Sequence, residues 1–443
     1  MTDQTADEET VGGGKPATVS PGHADPARLE AMLRNIAAIS EPGPGVTRLA
    51  FTQLERDAHA LVRSWYEELG LTAWVDAMGN SIAELPGSEP GLRSIGTGSH
   101  LDSVPQGGRF DGIAGVVAGV EAARVLTEPG DRPRHPIRFV AFAAEEGARF
   151  GQSCLGSKAV SGLIGEQDLW AFKDRHGTSV AEAMTEVGLD PARIADSRWI
   201  AEEWASFIEL HVEQGATLEA DGLPIGVVDL VSGSTRFALT CLGRATHTGS
   251  TPMALRADAL AAAAEIVLLV ESLVKDPRHH GARGTVGVLN VEPGSITTIP
   301  GQVYLTVDIR DVDSDRQRET AADIVRRAQE LCEARGVTMT VEKLGDASPV
   351  VLPVWVRQAI AGVCSGLELP YRVMGSGASH DCQMINHVVP SGLLFVPSRA
   401  GLSHVPDEWT GTSELAAGVD VLLGSLRQLD NTLTSLEKAD SQG

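Results

Sequence analysis

Hydrophobic positions along this chain keep two rhythms, and the order in which they alternate outlines the fold. "ARLEAMLRNIAAIS" (27–40) and "FTQLERDAHALVRSWYEELG" (51–70) repeat apolar residues at helical spacing, which predicts two helices packed on a sheet. "SIGTGSH" (94–100) and "PIRFVAFAAEEG" (136–147) are short apolar runs, and between them "GIAGVVAGVEAARVL" (112–126) returns to the helical pattern. Strand, helix, strand in that order predicts a parallel crossover. It sets His100 and the Glu145–Glu146 pair just past the carboxyl ends of their strands, the edge of an open α/β sheet where ligands bind.

The middle of the chain changes rhythm. A strand at 236–243, a helix at 254–276, strands at 284–291 and 302–310, a helix at 314–336 and a strand at 337–345 spell β-α-β-β-α-β, the ferredoxin-like arrangement. Helical and strand patterns resume at "VWVRQAIAGVCSGLE" (354–368), "GLLFVPS" (392–398) and "SELAAGVDVLLGSLRQL" (413–429), so the middle unit reads as an insertion. The expected organisation is a tail at 1–25, a first domain split into 26–231 and 346–443, and an inserted domain at 232–345.

Composition narrows the classes. At 443 residues the chain is too long for one ordinary core, and 42% hydrophobic with 21% charged residues is the balance of a water-soluble globular protein. No apolar run reaches the roughly 18 residues of a membrane span. A net charge of -23 repels phosphate backbones, which argues against nucleic acid as a partner. The five cysteines are scattered without a CxxC pair, so neither a disulfide framework nor a thiolate zinc site is expected. The first residues, "MTDQTADEETVGGGKPATVSPGHADP", lack the apolar stretch of a secretory signal and read as a disordered tail; a reducing cytoplasm fits.

Histidines and carboxylates stand where a divalent metal could use them: His100, Asp102, Asp111, Glu145, Glu146, His211 in "IELHVEQG" and His404 in "AGLSHVPDEW". Each alone also fits a structural role, as a hydrogen-bonded histidine or a solvated glutamate. The glutamate pair is harder to place that way, because two carboxylates leaving a buried strand together need cations. A serine nucleophile is not indicated, since "GSGAS" (375–379) is not G-x-S-x-G.

Taken together, "TGSHLDSVPQGGRFDGIAGVVAGVE", "AFAAEEGARFGQSCLGSKAVSG", "ELHVEQG", "THTGSTPM", "GSGASHD" and "AGLSHVPDEWT" make the chain resemble the amidase, hydantoinase and carbamoylase branch of the M20 dinuclear metal hydrolases, from about residue 27 to 430. The resemblance implies an α/β fold: a phosphorylase/hydrolase-like mixed-sheet catalytic domain with an inserted ferredoxin-like dimerisation domain. It implies two divalent ions per subunit, Zn or else Mn, Co or Ni. His100 and His211 would hold one ion, Glu146 and His404 the other, and Asp111 would bridge them, with Asp102 orienting His100. Glu145 would be the general base and His247, reaching a partner subunit's site in a homodimer, would stabilise the oxyanion. Arg310 would clasp a substrate carboxylate, Gln214 and Asn290 would contact substrate, and His380 with Asp381 would shape the pocket. Arg310 also fits a surface ion pair, and Asn290 a turn. Thr246 and Thr248 flank His247 where Asn and Ala are common in the family, and Ser379 stands where Gly is frequent.

The activity implied is hydrolysis of a linear carbamoyl or amide C–N bond, foremost of an N-carbamoyl-L-amino acid, to amino acid, carbon dioxide and ammonia. Allantoate or another specialised amide is the alternative within the family. A non-catalytic binding protein on the same fold is a third reading, disfavoured because the ligands and the base are all present.

Overall fold

The computed structural model describes residues 24–130 and 132–440. Most of the tail expected at 1–25 lies outside the described residues. Its last two residues are anchored: Ala24 donates its N–H to Asp420, and Asp25 caps the Pro26–Ala37 helix by accepting from Ala27 and Arg28.

The described strands are β1 Thr72–Val75, β2 Ser81–Leu85, β3 Ser94–His100, β4 Ile137–Phe142, β5 Trp204–Val212, β6 Ile225–Val231, β7 Gly233–Leu242, β8 Arg283–Glu292, β9 Gln302–Asp311, β10 Thr338–Ala347, β11 Val350–Val351, β12 Tyr371–Ser376 and β13 Ser391–Val396. The larger sheet runs β1-β2-β4-β3-β5-β13-β6-β11, with β12 also pairing β6. It is mixed. β3 is parallel to β4 and β5, and β13 is parallel to β5, while β2 meets β4 and β6 meets β13 antiparallel. β3 and β5 are buried at every position, which is why their sequences read as continuous runs rather than alternating ones.

Helices Pro26–Ala37, Ile113–Leu126, Val354–Gly366 and Thr412–Asp440 share one apolar core with Ile95, Leu210 and Leu394 of the strands. The Ile113–Leu126 helix, apolar almost all round, is buried at every position except Arg124. On the opposite face Phe142, Phe207 and Phe395 pack against Val160 and Ile385 from two short helices.

β7 to β10 make a second sheet, ordered β10-β7-β9-β8 and antiparallel throughout. Helices Ala259–Val274 and Ser314–Ala334 cover one face of it around Leu239, Ile266, Leu305 and Ile324. The first of these helices is shorter than its apolar pattern suggests, because Asp258 caps it by accepting from Leu260 and Ala261. Only Ser232 separates β6 from β7, and only Ser348 and Pro349 separate β10 from β11. The two connections lie side by side, since Val231 pairs with Val350 and Ser234 with Ala347. Among the described residues no helix is long and apolar enough to cross a membrane.

Candidate metal centre

The parallel strands β3, β4, β5 and β13 end on one edge, and the polar residues singled out in the sequence collect there. His100 is the last residue of β3, Glu145 and Glu146 follow β4 after Ala143 and Ala144, His211 sits near the end of β5, and His404 lies in the turn beyond β13.

Asp111 is the hub. Its Oδ1 lies 3.5 Å from His100 Nε2 and 3.2 Å from His211 Nε2, and its Oδ2 lies 3.3 Å from His404 Nε2. His404 Nε2 is also 3.1 Å from Glu146 Oε2, and Glu145 Oε2 is 3.8 Å from His100 Nε2. His100, Asp111 and His211 therefore offer three ligand atoms within 4.8 Å of one another, and Asp111, Glu146 and His404 offer a second such set.

Asp111 stands one position before Gly112, the N-cap residue of the Ile113–Leu126 helix; no side chain caps that helix, and the Asp111 carboxylate is drawn to the three imidazoles instead. Gly112 has a φ of 68°, and a Cβ there would lie 2.4 Å from His100 Cε1, so only glycine lets the loop close on the histidine.

Hydrogen bonds fix the imidazole faces. His211 Nδ1 is 2.9 Å from the Val212 carbonyl oxygen, and His100 Nδ1 is 3.2 Å from that of Asp102. A carbonyl can only accept, so each ring carries its proton on Nδ1 and turns Nε2 towards Asp111. Nε2 of both rings then faces one carboxylate oxygen, that of His211 also lying 3.2 Å from the Gly112 amide nitrogen. Against burial, the neighbouring carboxylates raise both histidines above their usual range, so the Nε2 edge is one a cation, proton or metal, can occupy. Imidazole and carboxylate donors of this kind suit zinc-like and manganese-like ions.

Charge tells the same story. Burial pushes Asp111 up, but His100, His211 and His404 outweigh it and hold the carboxyl well below its usual range. Burial and the Asp111 charge push Glu146 up to about 7. Burial disfavours a charged His404, yet Asp111 and Glu146 raise it to about 11. The histidines and carboxylates of the cluster thus share protons at the positions a metal ion would take.

Asp102 does more than face His100 at 3.5 Å: its two oxygens accept the N–H groups of Glu145 and Glu146, at 2.8 and 3.0 Å. One carboxylate thus ties the β3 loop to the turn after β4. That turn is bent at Ala144, with φ 58°, whose N–H donates to buried Glu55 at 3.0 Å.

Above the cluster opens a cleft of about 530 Å³, lined by Gln214, Ser403 and His404 from the larger sheet and by Arg283 and Arg310 from the smaller one. Gln214 Nε2 donates to Asp111 Oδ2 at 2.7 Å. Arg310 donates from Nη1 to the Gly377 carbonyl across the cleft at 3.2 Å, and from Nε to Asp308 at 3.1 Å. His380 is 1% exposed and packs its ring edgewise on His211 at 4.6 Å, behind the cluster, with Nε2 on Ser376. Asp381 beside it is buried and accepts from Ser157.

His247 and Asn290 stand apart. Arg310 pairs with Ser234, whereas Leu242 pairs with Gln302, so the His247 turn follows the far end of β7, roughly 26 Å of strand away. Asn290 pairs with Tyr304 in mid-strand on exposed β8, roughly 20 Å along from Arg310, and not in a turn. His247 is exposed, its Nδ1 accepting from the N–H of Gly249 at 3.0 Å.

Sequence reasoning overlooked the residues beneath the cluster. Glu408 accepts the N–H groups of Phe110 and Asp111 at 2.9 and 3.0 Å, and Ser403 bridges it to Asp111. Glu209, buried below His211, accepts from Ser99 and from the Cys382 N–H, so it is committed internally although it also lies near His211 and His380. Cys154 donates its thiol to Glu145 Oε1 at 2.9 Å. Glu209, inside "ELHVEQG", interrupts an apolar strand, which was the available signal, whereas Glu408 in "SHVPDEW" follows Asp407 in a polar turn and carried none.

A mixed α/β sheet with histidine and carboxylate sets at its carboxyl edge defines the class: a metallohydrolase fold. The model of Peptidase family M20/M25/M40 matches residues 96–428, and the chain belongs to that family. It is 41% identical over 404 residues to the N-carbamoyl-L-amino acid amidohydrolase of Geobacillus stearothermophilus, a span of 91% of this chain and 98% of that protein. It is 31% identical over 426 residues to the allantoate deiminase of Arabidopsis thaliana, covering 88% of this chain and 80% of that one. Among solved structures, an amidase of the hydantoinase/carbamoylase family from Burkholderia vietnamiensis superposes with a TM-score of 0.86 at 32% identity, over 91% of this chain and 97% of the other.

Proposed function

We propose that the protein hydrolyses a linear C–N bond of a ureido acid, foremost an N-carbamoyl-L-amino acid, with two divalent ions held by the Asp111 cluster. The observation that carries this reading is the placement of Asp111 between two ligand sets, with a spare carboxylate, Glu145, beside them. The similarity to an N-carbamoyl-L-amino acid amidohydrolase over nearly the full chain supports the substrate class.

In this reading His100 and His211 would hold one ion and Glu146 and His404 the other, with Asp111 available to both. The ions, when bound, supply the Lewis acidity that activates water and polarises the scissile carbonyl. Glu145 Oε1 is occupied by the Cys154 thiol, which leaves Oε2 to accept the proton of the attacking water. Glu145 then returns that proton to the leaving nitrogen as the C–N bond breaks. The free amino acid departs, and the carbamate left behind decomposes to carbon dioxide and ammonia. Arg310 clasps the substrate carboxylate, Gln214 contacts the substrate from beside Asp111, and His380 supports His211 from behind.

His247 and Asn290 are too far along the smaller sheet to serve the cluster of their own chain, so we assign them to the site of a partner in a homodimer. Residues 232–345 would then act as both dimerisation unit and lid. An unpaired edge at β8 with Val288 and Leu289 exposed supports that surface.

The test is turnover by the metal-loaded protein of N-carbamoyl-L-amino acids, 3-ureidopropionate and allantoate side by side. Hydrolysis of the N-carbamoyl amino acids is expected to be fastest. Allantoate turned over faster would shift the assignment towards the deiminase relative, and no turnover of any would remove the reading.

A further inference from the structure

We propose that Arg283 forms a second anion subsite beside Arg310 and fits the cleft to ureido acids that carry two carboxylates. The proposal rests on the hydrolytic reading above and names its substrate class. Arg283 opens β8 and pairs directly opposite Arg310 on β9, so both side chains leave the same face of the sheet. Like charges placed directly opposite destabilise a sheet, and here both line the same cleft.

The two cations are not equally compensated. Arg310 has Asp308 at 3.1 Å and the Gly377 carbonyl at 3.2 Å, and Asp308 is shared with Arg236 at 3.5 Å. Among the described residues no carboxylate lies within ion-pair distance of Arg283. Its guanidinium stands over Gly377, with Nη1 3.5 Å from where a Cβ on that residue would be. The carboxylate that lines the cleft, Glu213, is committed to the N–H groups of Thr217 and Leu218, at 2.8 Å each. One wall therefore presents two guanidiniums, one of them without a counter-ion. A substrate whose α-carboxylate meets Arg310 would place a side-chain carboxylate of a four- or five-carbon diacid towards Arg283, where a charge-assisted hydrogen bond can form.

The test compares N-carbamoyl-L-glutamate with N-carbamoyl-L-methionine. Arg283 is exposed at the start of an edge strand, so R283Q leaves the core intact. In the native protein the ratio of kcat/KM for the diacid over the neutral compound is expected to exceed one. In R283Q that ratio should fall about tenfold or more. An unfolded or poorly closing variant would lower both values together, so the ratio isolates the second carboxylate; equal ratios in the two proteins overturn the subsite.

Calorimetric titration of E145Q and of E145Q/R283Q with N-carbamoyl-L-glutamate gives a readout without turnover, where about tenfold weaker binding by the double variant is expected. Equal affinities overturn the subsite. If neither compound is hydrolysed by the native protein but binding still depends on Arg283, the hydrolytic reading falls and the subsite stands. If both are hydrolysed with equal ratios in native protein and R283Q, the subsite falls and the hydrolytic reading stands.

Discussion

The two sheets hold their polar residues in opposite ways. At the edge of the larger sheet His100, Asp111, Glu145 and His211 are buried, with only His404 of the cluster exposed, and backbone contacts tie the carboxylates down: Asp111 rests on Glu408 through its own N–H, and Glu145 and Glu146 hang from Asp102. On the smaller sheet His247 and Asn290 are exposed, and Arg310 and Arg283 line the cleft from a body joined to the rest by two short, adjacent connections. The difference separates tasks. Bond cleavage needs atoms fixed to a fraction of an ångström, whereas substrate capture needs groups that approach and withdraw.

The largest expected effect tests the fixed side. E145Q should lower kcat by at least about 10³-fold while metal content per chain, measured by elemental analysis, stays at the native value. Retained turnover would remove Glu145 as the base. On the other sheet, H247A should lower kcat by about 10²-fold with metal content and melting temperature unchanged. Mixing it with E145Q should then restore about a quarter of native sites, since each mixed dimer assembles one intact centre. No recovery on mixing would place His247 outside the partner's chemistry and erase half of the contrast.

D102A comes next, because it strips the N–H groups of Glu145 and Glu146 of their acceptor. A loss of about 2–6 kcal/mol in denaturant unfolding is expected, at about 1–3 kcal/mol for each of the two donors left unpaired. An unchanged midpoint would show that Asp102 does not hold the turn. The smallest effect concerns protons. His404, raised to about 11 in the metal-free protein, is protonated at pH 8, so a divalent ion must displace that proton. Affinity should rise with pH from 6 to 9, with release of about one proton or more, measured by titration calorimetry in buffers of different ionisation heat. Binding without proton release would contradict the charge state assigned to the cluster.

Much of this was legible in the sequence because local rules reached it. The parallel crossover of β3, helix and β4 follows from apolar runs around one helical segment, and it alone predicts that His100 and Glu146 share an edge. The β-α-β-β-α-β order likewise follows from periodicity and appears as the second sheet. What stayed hidden depends on contacts between distant segments. Glu408 lies 297 positions from the Asp111 amide it accepts, and Glu209 lies 173 from the Cys382 amide. Nothing in a linear pattern tells a glutamate that neutralises backbone donors from one that faces water. Arg283 was invisible for a related reason: its meaning comes from cross-strand register with Arg310, which the sequence does not print.

The helix that begins at Ile113 carries one more consequence. Because it is enclosed along nearly its whole length, its amides can exchange with solvent only when the surrounding core opens. The loop that delivers Asp111 is fastened to that helix, so the residue shared by both ligand sets has no private route to disorder. Its working lifetime is that of the folded chain itself, and heating should silence the catalyst and melt the core in a single event.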